Sequence, residues 1–271
     1  MQKLTPEQLQ FWQYNSYLLI KGLFASRARD LSHWINEVLS WRPMEGIDDS
    51  KWLTDYEVDN PKQLARRENF VPFHPNLAGI LMGEEVTGIV SQFIGEGAIL
   101  YKERVNPKFP GGGAHEAHQD GVAFEQFERG ERFFDPHKKP YISVLIGVDR
   151  ATTTNGCLEV TPNWPIDRLD ILPMESPYLD RPHYFKIAKI VEDALYWLKL
   201  QTNPGDALFF TERLPHRSAK NRSNNTRKIL YAVYNPISEG EKRTRYYEDK
   251  IKDRDNPRYH VGNPHALLSE G

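Results

Sequence analysis

Residues 204–218 of the chain read PGDALFFTERLPHRS, in which a turn, an apolar run and a histidine follow one another. Pro204 and Gly205 are typical of a tight turn, and the run from position 207 to 211 is short, apolar and aromatic, which favours a buried β-strand. His216 comes soon after that run. The segment therefore predicts a strand with a chemically useful imidazole just beyond its end.

The same character extends over the region from Gly97 onward, where short apolar or alternating runs are separated by clusters of Pro, Gly and Asn. The candidate strands are residues 99–106, 115–120, 142–149, 157–161, 207–211 and 229–235. Residues 167–200 form a long insertion, the end of which, residues 187–198, is a candidate helix. This order predicts a mainly β protein, a double-layered antiparallel barrel or jelly roll with helices packed outside.

The residues before this region favour helices. Thr5-Pro6-Glu7-Gln8 has the pattern of a capped helix start. Apolar side chains recur at a spacing of three and four over residues 31–39 and again over residues 77–93, which predicts two more helices. Residues 17–23, which precede these two helices, read as a buried strand, and residues 40–76, which lie between them, are mixed in character.

The chain shows no clear linker, so we expect one domain over residues 1–271. Residues 1–98 would be a mostly helical support and residues 99–236 the β-barrel core. Residues 237–271 are dense in charge and proline, and we expect this C-terminal extension to wrap the surface or form a flexible tail.

Composition limits the classes of function. The 271 residues are 39% hydrophobic and 12% aromatic, which is typical of a globular protein. The net charge is −2, and the sequence contains no block of like charges, so we expect a small-molecule ligand and neither a nucleic-acid nor a membrane partner. The single cysteine, Cys157, excludes an intramolecular disulfide, and the N-terminus lacks a signal-peptide pattern. We therefore expect a soluble, cytoplasmic protein.

His118-Gln119-Asp120 is the most informative segment for chemistry, because residues i and i+2 of a strand project from the same face. Taken alone, the pair also fits an ordinary strand end at the surface. His216 supplies a third ligand, and two histidines with one carboxylate are the arrangement of non-haem Fe(II) oxygenases, whereas zinc prefers a nearly closed tetrahedron. His115 has the opposite parity to His118 on a regular strand, so we expect it to face away from the metal.

Arg227 begins the apolar run at positions 229–234. A guanidinium inside a barrel is costly unless it meets an anion, and a carboxylate matches its planar fork. This position predicts a cosubstrate carboxylate, although an arginine at the mouth of a strand can also pair with a nearby Asp or Glu.

Four blocks between positions 99 and 236 resemble the phytanoyl-CoA dioxygenase-like branch of the Fe(II)- and 2-oxoglutarate-dependent oxygenases. The blocks are HQD at 118–120, TNGCLEVTP at 154–162, PGDALFF at 204–210, and HRS at 216–218 followed by Arg227. The resemblance implies a double-stranded β-helix, a cupin-like jelly roll. It also implies that His118, Asp120 and His216 bind Fe(II) and form the catalytic centre, and that Arg227 with Ser218 holds the distal carboxylate of 2-oxoglutarate.

The reaction that this resemblance implies couples the oxidative decarboxylation of 2-oxoglutarate by O₂ to oxidation of a substrate. Related halogenases carry a small residue in place of the metal-binding carboxylate. Because Asp120 is present here, hydroxylation is favoured over halogenation.

Basic side chains near the expected mouth are candidates for holding an anion. Lys102 and Arg104 have the same parity on their predicted strand and therefore share one face. If that face is interior, Lys102 can hold the inner carboxylate of 2-oxoglutarate and Arg104 an anionic substrate; if not, both are solvated. Lys108 and Asn155 are further candidates for substrate binding.

The segment YKERVNPKFPGGG at 101–113 is similar to the segment before the metal strand in bacterial 2-aminoethylphosphonate dioxygenases. This similarity implies hydroxylation of the carbon next to phosphorus in a small aminophosphonate. Another small amine, amino acid or natural-product intermediate is an alternative substrate. Two other classes of function also stay open, a non-catalytic cupin-like binding protein and a zinc hydrolase that uses the same three ligands.

Overall fold

Two antiparallel sheets, with the N-terminal helices packed on one face of the larger sheet, form the protein, as described by a computed structural model over residues 3–42, 52–57, 60–123, 134–176, 185–254, 256–259, 261–262 and 266–267. The helices are α1 (Pro6–Asn15), α2 (Ala28–Ser40), α3 (Pro75–Leu81), α4 (Glu84–Ile94), α5 (Lys189–Ala194) and α6 (Arg243–Lys252). The strands are β1 (Tyr17–Ile20), β2 (Leu53–Glu57), β3 (Asn60–Glu68), β4 (Ala98–Lys108), β5 (His115–His118), β6 (Ile142–Gly147), β7 (Leu158–Val160), β8 (Met174–Glu175), β9 (Lys186–Ile187), β10 (Leu198–Leu200), β11 (Ala207–Thr211), β12 (His216–Ser218), β13 (Arg227–Pro236) and β14 (Ala266–Leu267).

The major sheet has eight strands in the order β1-β11-β6-β13-β4-β3-β2-β14, and the minor sheet has four in the order β10-β7-β12-β5. Strands β8 and β9 form a separate ribbon. Apart from β2, β3 and β4, which are consecutive in both sequence and sheet, neighbouring strands in the two sheets are distant in sequence, which is the mark of a jelly roll. The fold class predicted from the sequence, mainly β with flanking helices, is confirmed.

Both faces of the major sheet are buried. On β11, Ala207 and Phe209 belong to a core shared with α1, α2, α3 and α4, whereas Leu208 and Phe210 belong to the core shared with the minor sheet. This division follows from the two-residue period of a strand. The helices therefore cover one face of the major sheet, and the space between the two sheets is left for the site.

Helix α1 begins as its sequence predicts. The side chain of Thr5 accepts a hydrogen bond from the backbone N–H of Gln8, and the side chain of Gln8 accepts one from the backbone N–H of Thr5. Helix α2 buries Leu31, Ile35 and Val38 at the predicted spacing.

Three segments differ from the sequence-based expectation. The mixed segment 40–76 contains β2 and β3, the helical pattern at 77–93 is divided at Gly83, and the C-terminal extension contains α6. Strands β2 and β3 were missed because charged side chains such as Asp55, Arg66 and Glu68 are buried, so apolar alternation is absent. Part of the candidate helix at 187–198 forms α5, and β9 and β10 flank it.

The segment Pro75–Ile94 is long and apolar enough to cross a membrane by length and composition, with a mean hydropathy of 1.3. It consists of α3 and α4, and half of it is buried within the fold. Leu77, Ile80, Leu81, Val86, Ile89 and Val90 all belong to the core on the major sheet. This packing accounts for the apolar character of the segment.

Candidate metal centre

Three side chains, His118, Asp120 and His216, converge between the sheets. His118 ends β5 and His216 begins β12, and the two residues are direct partners in the antiparallel pair. Asp120 Oδ1 lies 3.5 Å from His118 Nε2 and 3.8 Å from His216 Nε2. One ligand atom from each residue lies within 4.8 Å of the others, so a single metal ion can contact all three.

Backbone carbonyls fix the orientation of both imidazoles. His118 Nδ1 donates to the carbonyl of Glu116 at 2.7 Å, and His216 Nδ1 donates to that of Leu214 at 2.9 Å. A proton on Nδ1 leaves the lone pair on Nε2, the atom that faces Asp120. The sequence did not reveal this arrangement, because it depends on the bend of the chain before each histidine.

The protonation states also suit metal binding. Burial, together with the neighbouring His118, lowers the pKa of His216 to about 4, so this ring is neutral at neutral pH. Burial alone would raise the pKa of Asp120, but His216, His118 and Arg104 outweigh it and hold the pKa well below its usual value. Ser143 Oγ donates to Asp120 Oδ2 at 2.9 Å and steadies the ionised carboxylate.

A second cluster of buried polar groups, which we call the anion pocket, consists of Lys108, Ser218 and Arg227. Arg227 lies opposite Lys108 in the β13–β4 pair, and both side chains are almost fully buried. Lys108 Nζ donates to Ser218 Oγ at 2.8 Å and to the carbonyl of Ala219 at 2.7 Å. Burial, with the nearby charge of Arg227, lowers the pKa of Lys108 well below its usual value.

The guanidinium of Arg227 is only partly satisfied. Its Nη1 donates to the carbonyl of Gly156 at 2.9 Å, whereas Nε and Nη2 are buried without a hydrogen-bond partner among the described residues. Gly156 has a φ of +79°, and a Cβ there would lie 2.1 Å from the carbonyl oxygen of Ala219. A buried cationic pair with free donors is costly unless an anion joins it.

Asn155 lies in the turn beside this pocket, and the turn engages its side chain. Its Oδ1 accepts from the backbone of Thr152 at 2.7 Å, and its Nδ2 donates to the carbonyl of Arg150 at 2.9 Å. The amide thus holds the turn that presents the Gly156 carbonyl to Arg227. A substrate-binding role for Asn155 remains a prediction that these hydrogen bonds do not favour.

Lys102 and Arg104 face the interior between the sheets, on the same side of β4. The ammonium of Lys102 lies 5.2 Å from the ring centre of Tyr246, and the guanidinium of Arg104 lies 5.1 Å from that of Tyr231. Burial, with the neighbouring Arg104, lowers the pKa of Lys102 to about 8, while the charge of Asp120 opposes this shift. We call Lys102 and Arg104 the cationic wall.

Sequence reasoning missed the ionic cluster behind this wall. Glu68 Oε1 accepts from Arg66 Nη1 at 3.0 Å and from Lys250 Nζ at 2.8 Å, and the charge of Arg104 acts on the same carboxylate. These side chains come from β3 and from α6. No motif marks them, since the two segments meet only in the folded chain.

His115, which strand parity predicted to face away from the metal, is not in the group of candidate metal ligands found among the described residues. Its Nδ1 is buried without a hydrogen-bond partner among the described residues. Burial, with the charges of Lys108, Arg66, Arg104 and Arg227, lowers its pKa well below the usual value. The β5–β12 register shifts between His216 and Ser218, so the parity of a regular strand does not hold there.

A jelly roll that gathers two histidines and an aspartate between its sheets, beside a buried cationic pocket, is the architecture of metal-dependent oxygenases with a cupin-like fold. The sequence profile of the phytanoyl-CoA dioxygenase (PhyH) family matches residues 15–229. The chain belongs to this family, and the family resemblance inferred from the sequence blocks is confirmed.

Two relatives are similar over most of their length. A 2-aminoethylphosphonate dioxygenase of an uncultured bacterium is 33% identical over 254 residues, 92% of this chain and 88% of the relative. A methylphosphonate hydroxylase of Gimesia maris is 34% identical over 250 residues, 91% of this chain and 86% of the relative. Among solved structures, EctD from S. alaskensis with 2-oxoglutarate and 5-hydroxyectoine matches with a TM-score of 0.67 at 16% identity, covering 87% of this chain and 77% of EctD.

Proposed function

We propose that this protein is an Fe(II)- and 2-oxoglutarate-dependent dioxygenase that hydroxylates a small phosphonate, such as 2-aminoethylphosphonate or a close analogue. The observation that carries the proposal is the meeting of the His118, Asp120 and His216 ligand atoms between the sheets. The names of the two relatives support the substrate class.

The residues present fit Fe(II). Two imidazole Nε2 atoms and one carboxylate oxygen form a set of three donors that leaves positions free for a cosubstrate and O₂. Ser143, Glu116 and Leu214 hold these donors through hydrogen bonds before any metal arrives. Such support is what an iron site of this type needs for a fixed geometry.

The anion pocket fits the distal carboxylate of 2-oxoglutarate. Within the described part of the chain, Nε and Nη2 of Arg227 have no hydrogen-bond partner, and they are two donors of one planar fork, which suits a carboxylate. The sequence placed Lys108 with the substrate and Lys102 with 2-oxoglutarate. Because Lys108 contacts Ser218 and lies opposite Arg227, we assign Lys108 to 2-oxoglutarate and Lys102 to the substrate side.

Iron(II) with 2-oxoglutarate and O₂ supplies the oxidising power that replaces a C–H bond of the substrate by C–OH, while 2-oxoglutarate loses CO₂ and becomes succinate. The protein contributes position and exclusion of water. His118, Asp120 and His216 hold the metal, Arg227, Ser218 and Lys108 hold the cosubstrate, and the two sheets with their apolar side chains keep the site dry.

The cationic wall fits the phosphonate group. Lys102 and Arg104 project from one face of β4. The charge of Asp120 opposes the fall in the pKa of Lys102 that burial causes, and the charge of Arg104 helps to lower the pKa of Asp120, so both cations lie close to the candidate metal ligand. An arginine and a lysine on one face can neutralise a dianion and aim the carbon next to phosphorus at the metal. The aromatic rings of Tyr231 and Tyr246 line the same wall and limit the size of the substrate.

An anaerobic titration tests the proposal. Fe(II) and then 2-oxoglutarate are added to the metal-free protein, and we expect the visible charge-transfer band of a keto-acid chelate, which His216→Ala should abolish. Succinate release in air is then compared for 2-aminoethylphosphonate, methylphosphonate, and unrelated amines and amino acids. A phosphonate should give the highest rate.

Other outcomes separate the alternatives. A charge-transfer band without phosphonate-dependent turnover would support the assignment as an oxygenase and contradict the phosphonate as its substrate. Absence of the band in folded, iron-loaded protein would favour a zinc hydrolase or a non-catalytic binding protein. The single cysteine leads us to propose that the enzyme works in the cytoplasm, and fractionation of the native host would test this.

A further inference from the structure

The C-terminal segment passes directly over one of the three candidate metal ligands. A Cβ placed on Gly262 would lie 2.1 Å from Nδ1, 2.4 Å from Cγ and 2.5 Å from Cε1 of His118. These distances are far inside van der Waals contact, so the backbone at this position lies against the imidazole with no room for a side chain.

Hydrogen bonds hold this backbone in place on both sides. The carbonyl of Gly262 accepts from the N–H of Glu116 at 2.9 Å, and the N–H of Gly262 donates to the carbonyl of Phe185 at 2.9 Å. The carbonyl of Glu116 in turn accepts from His118 Nδ1. One residue of β5 therefore connects the C-terminal backbone to the ring of the metal ligand.

The segment is also anchored before and after Gly262. The ring of Tyr259 lies 5.6 Å from that of Tyr246 in α6, and Lys250 lies 5.5 Å from the centre of the Tyr259 ring. Further along, β14 pairs with β2 at the edge of the major sheet. Tyr259 thus contacts α6, Gly262 lies at the edge of β5 in the minor sheet, and β14 lies on the major sheet.

We propose that residues 261–262 are a strap that belongs to the metal centre, and that Gly262 is a positioning residue that fixes the imidazole of His118. The inference rests on the proposed function, because it takes these three side chains as the metal site. Gly262 serves here for two reasons, since its φ is +69° and its Cα faces the ring without a side chain. Any larger residue must displace either the strap or the ligand.

Gly262→Ala tests the strap, and Gly240→Ala is the matched control. Gly240 has a φ of +77°, and a Cβ there would have no atom within 4 Å, so this variant carries the backbone strain without the clash. Co(II) is used as the probe because it binds such sites in air and its absorption spectrum reports the ligand geometry. We expect Gly262→Ala to weaken Co(II) binding about 10- to 100-fold, the usual cost of disturbing the support of a metal ligand, and Gly240→Ala to bind as the unaltered protein does.

Tyr259→Ala in the full-length chain keeps the test valid if Gly262→Ala does not fold. It loosens the anchor three residues before Gly262, the contact of Tyr259 with the ring of Tyr246, without adding an atom near His118. We expect weaker Co(II) binding together with an altered Co(II) spectrum. Equal Co(II) affinity of Gly262→Ala and Gly240→Ala would overturn the inference, as would unaltered Co(II) binding by Tyr259→Ala.

Failure of the proposed function gives a different result. If the unaltered protein binds Co(II) but forms no Fe(II)–2-oxoglutarate complex, the dioxygenase assignment is wrong, and the effect of the strap on Co(II) affinity is still measured. If the unaltered protein binds no Co(II), the metal-site assignment and the role of the strap are both wrong.

Discussion

Arg227 and Lys108 are the residues on which the proposed cosubstrate site depends. They lie opposite each other on β13 and β4, where two like charges destabilise the sheet unless something joins them. Ser218 Oγ accepts one hydrogen bond from the ammonium of Lys108, and the carbonyl of Gly156 accepts one from Nη1 of Arg227. Nε and Nη2 of Arg227, which have no hydrogen-bond partner among the described residues, mark the position at which a carboxylate would bind most favourably.

Lys108→Met distinguishes the two roles considered for Lys108. Methionine keeps an unbranched side chain but removes the charge and the hydrogen bond to Ser218. If Lys108 serves the cosubstrate, KM for 2-oxoglutarate rises by about tenfold or more, the equivalent of about 1.4 kcal/mol or more, while KM for the phosphonate changes little. Steady-state kinetics with each compound varied in turn measure both constants.

The control for this variant is Arg222→Ala, which removes an exposed cation from the same loop region. It should leave both KM values unchanged. A rise confined to KM for the phosphonate in Lys108→Met would instead support the role that the sequence alone assigned.

Lys102 should give phosphonate binding a pH dependence. Burial, with Arg104 beside it, lowers its pKa to about 8, so the ammonium is charged at neutral pH and loses its charge as the pH rises through 8. KM for the phosphonate should therefore increase between pH 7 and pH 9. In Lys102→Arg the guanidinium stays charged, and the increase should be absent.

The measurement is KM against pH for the unaltered protein and for Lys102→Arg, with KM for 2-oxoglutarate as the internal reference. Identical pH profiles for the two proteins would show that Lys102 does not bind the anion.

At the scale of elements, α6 is fastened to β4 by one tyrosine. The hydroxyl of Tyr247 donates to the carbonyl of Glu103 at 2.8 Å and accepts from the N–H of the same residue at 3.0 Å. The carboxylate of Glu103 also accepts from the guanidinium of Arg243 and from the backbone of Val71. This one residue of β4 therefore joins α6 to the turn before α3.

Tyr247→Phe removes the hydroxyl, so the buried N–H and carbonyl of Glu103 both lose their hydrogen bond to it. Such a loss costs about 1–3 kcal/mol, so we expect the melting temperature to fall by several degrees. Tyr196→Phe is the control, because Tyr196 is 69% exposed. Scanning calorimetry of the metal-free proteins measures both, and equal melting temperatures would contradict this role for Tyr247.

The elements also show which parts of the fold a sequence can reveal. Strands such as β6 and β11 were predicted because both of their faces are apolar. Helix α1 was predicted because the residues that cap its N-terminus follow one another closely in the sequence. Strands β2 and β3 and helix α6 bury charged or tyrosine side chains that pair with each other across the fold. Their partners are distant in sequence, so neither periodicity nor composition points to them.

The site divides in the same way. The three candidate metal ligands and Arg227 lie in short motifs with a fixed order, so the sequence alone points to them. Glu68, Lys250 and Gly262 act through contacts between distant segments, and no local pattern marks them. The exchange of roles between Lys108 and Lys102 likewise depends on which neighbour each meets in the folded chain.

At the scale of the whole molecule, residues 1–98, which contain helices α1–α4 and strands β1–β3, share one apolar interior with the β core. Trp12 of α1 stacks on Phe93 of α4 with 3.8 Å between the ring centres, and the ring centres of Phe93 and Phe209 of β11 are 5.6 Å apart. On the other face of β11, the ring centre of Phe210 lies 4.9 Å from that of His216. The helices are thus connected to the metal centre through the thickness of a single strand.

This continuity predicts that residues 1–271 unfold as one cooperative unit, the single domain expected from the sequence. Removing residues 1–98 would take away α1–α4 and strands β1–β3 and would expose the face of the major sheet that carries Ala207 and Phe209, so residues 99–271 alone should aggregate. Hydrogen exchange against denaturant provides the measurement, because the most protected amides of α2 and α4 and those of β6 and β11 should then share one free energy of opening and one denaturant dependence. If the helices open at a lower free energy than the strands, or if residues 99–271 fold alone and still bind Co(II), the N-terminal part is a separate unit.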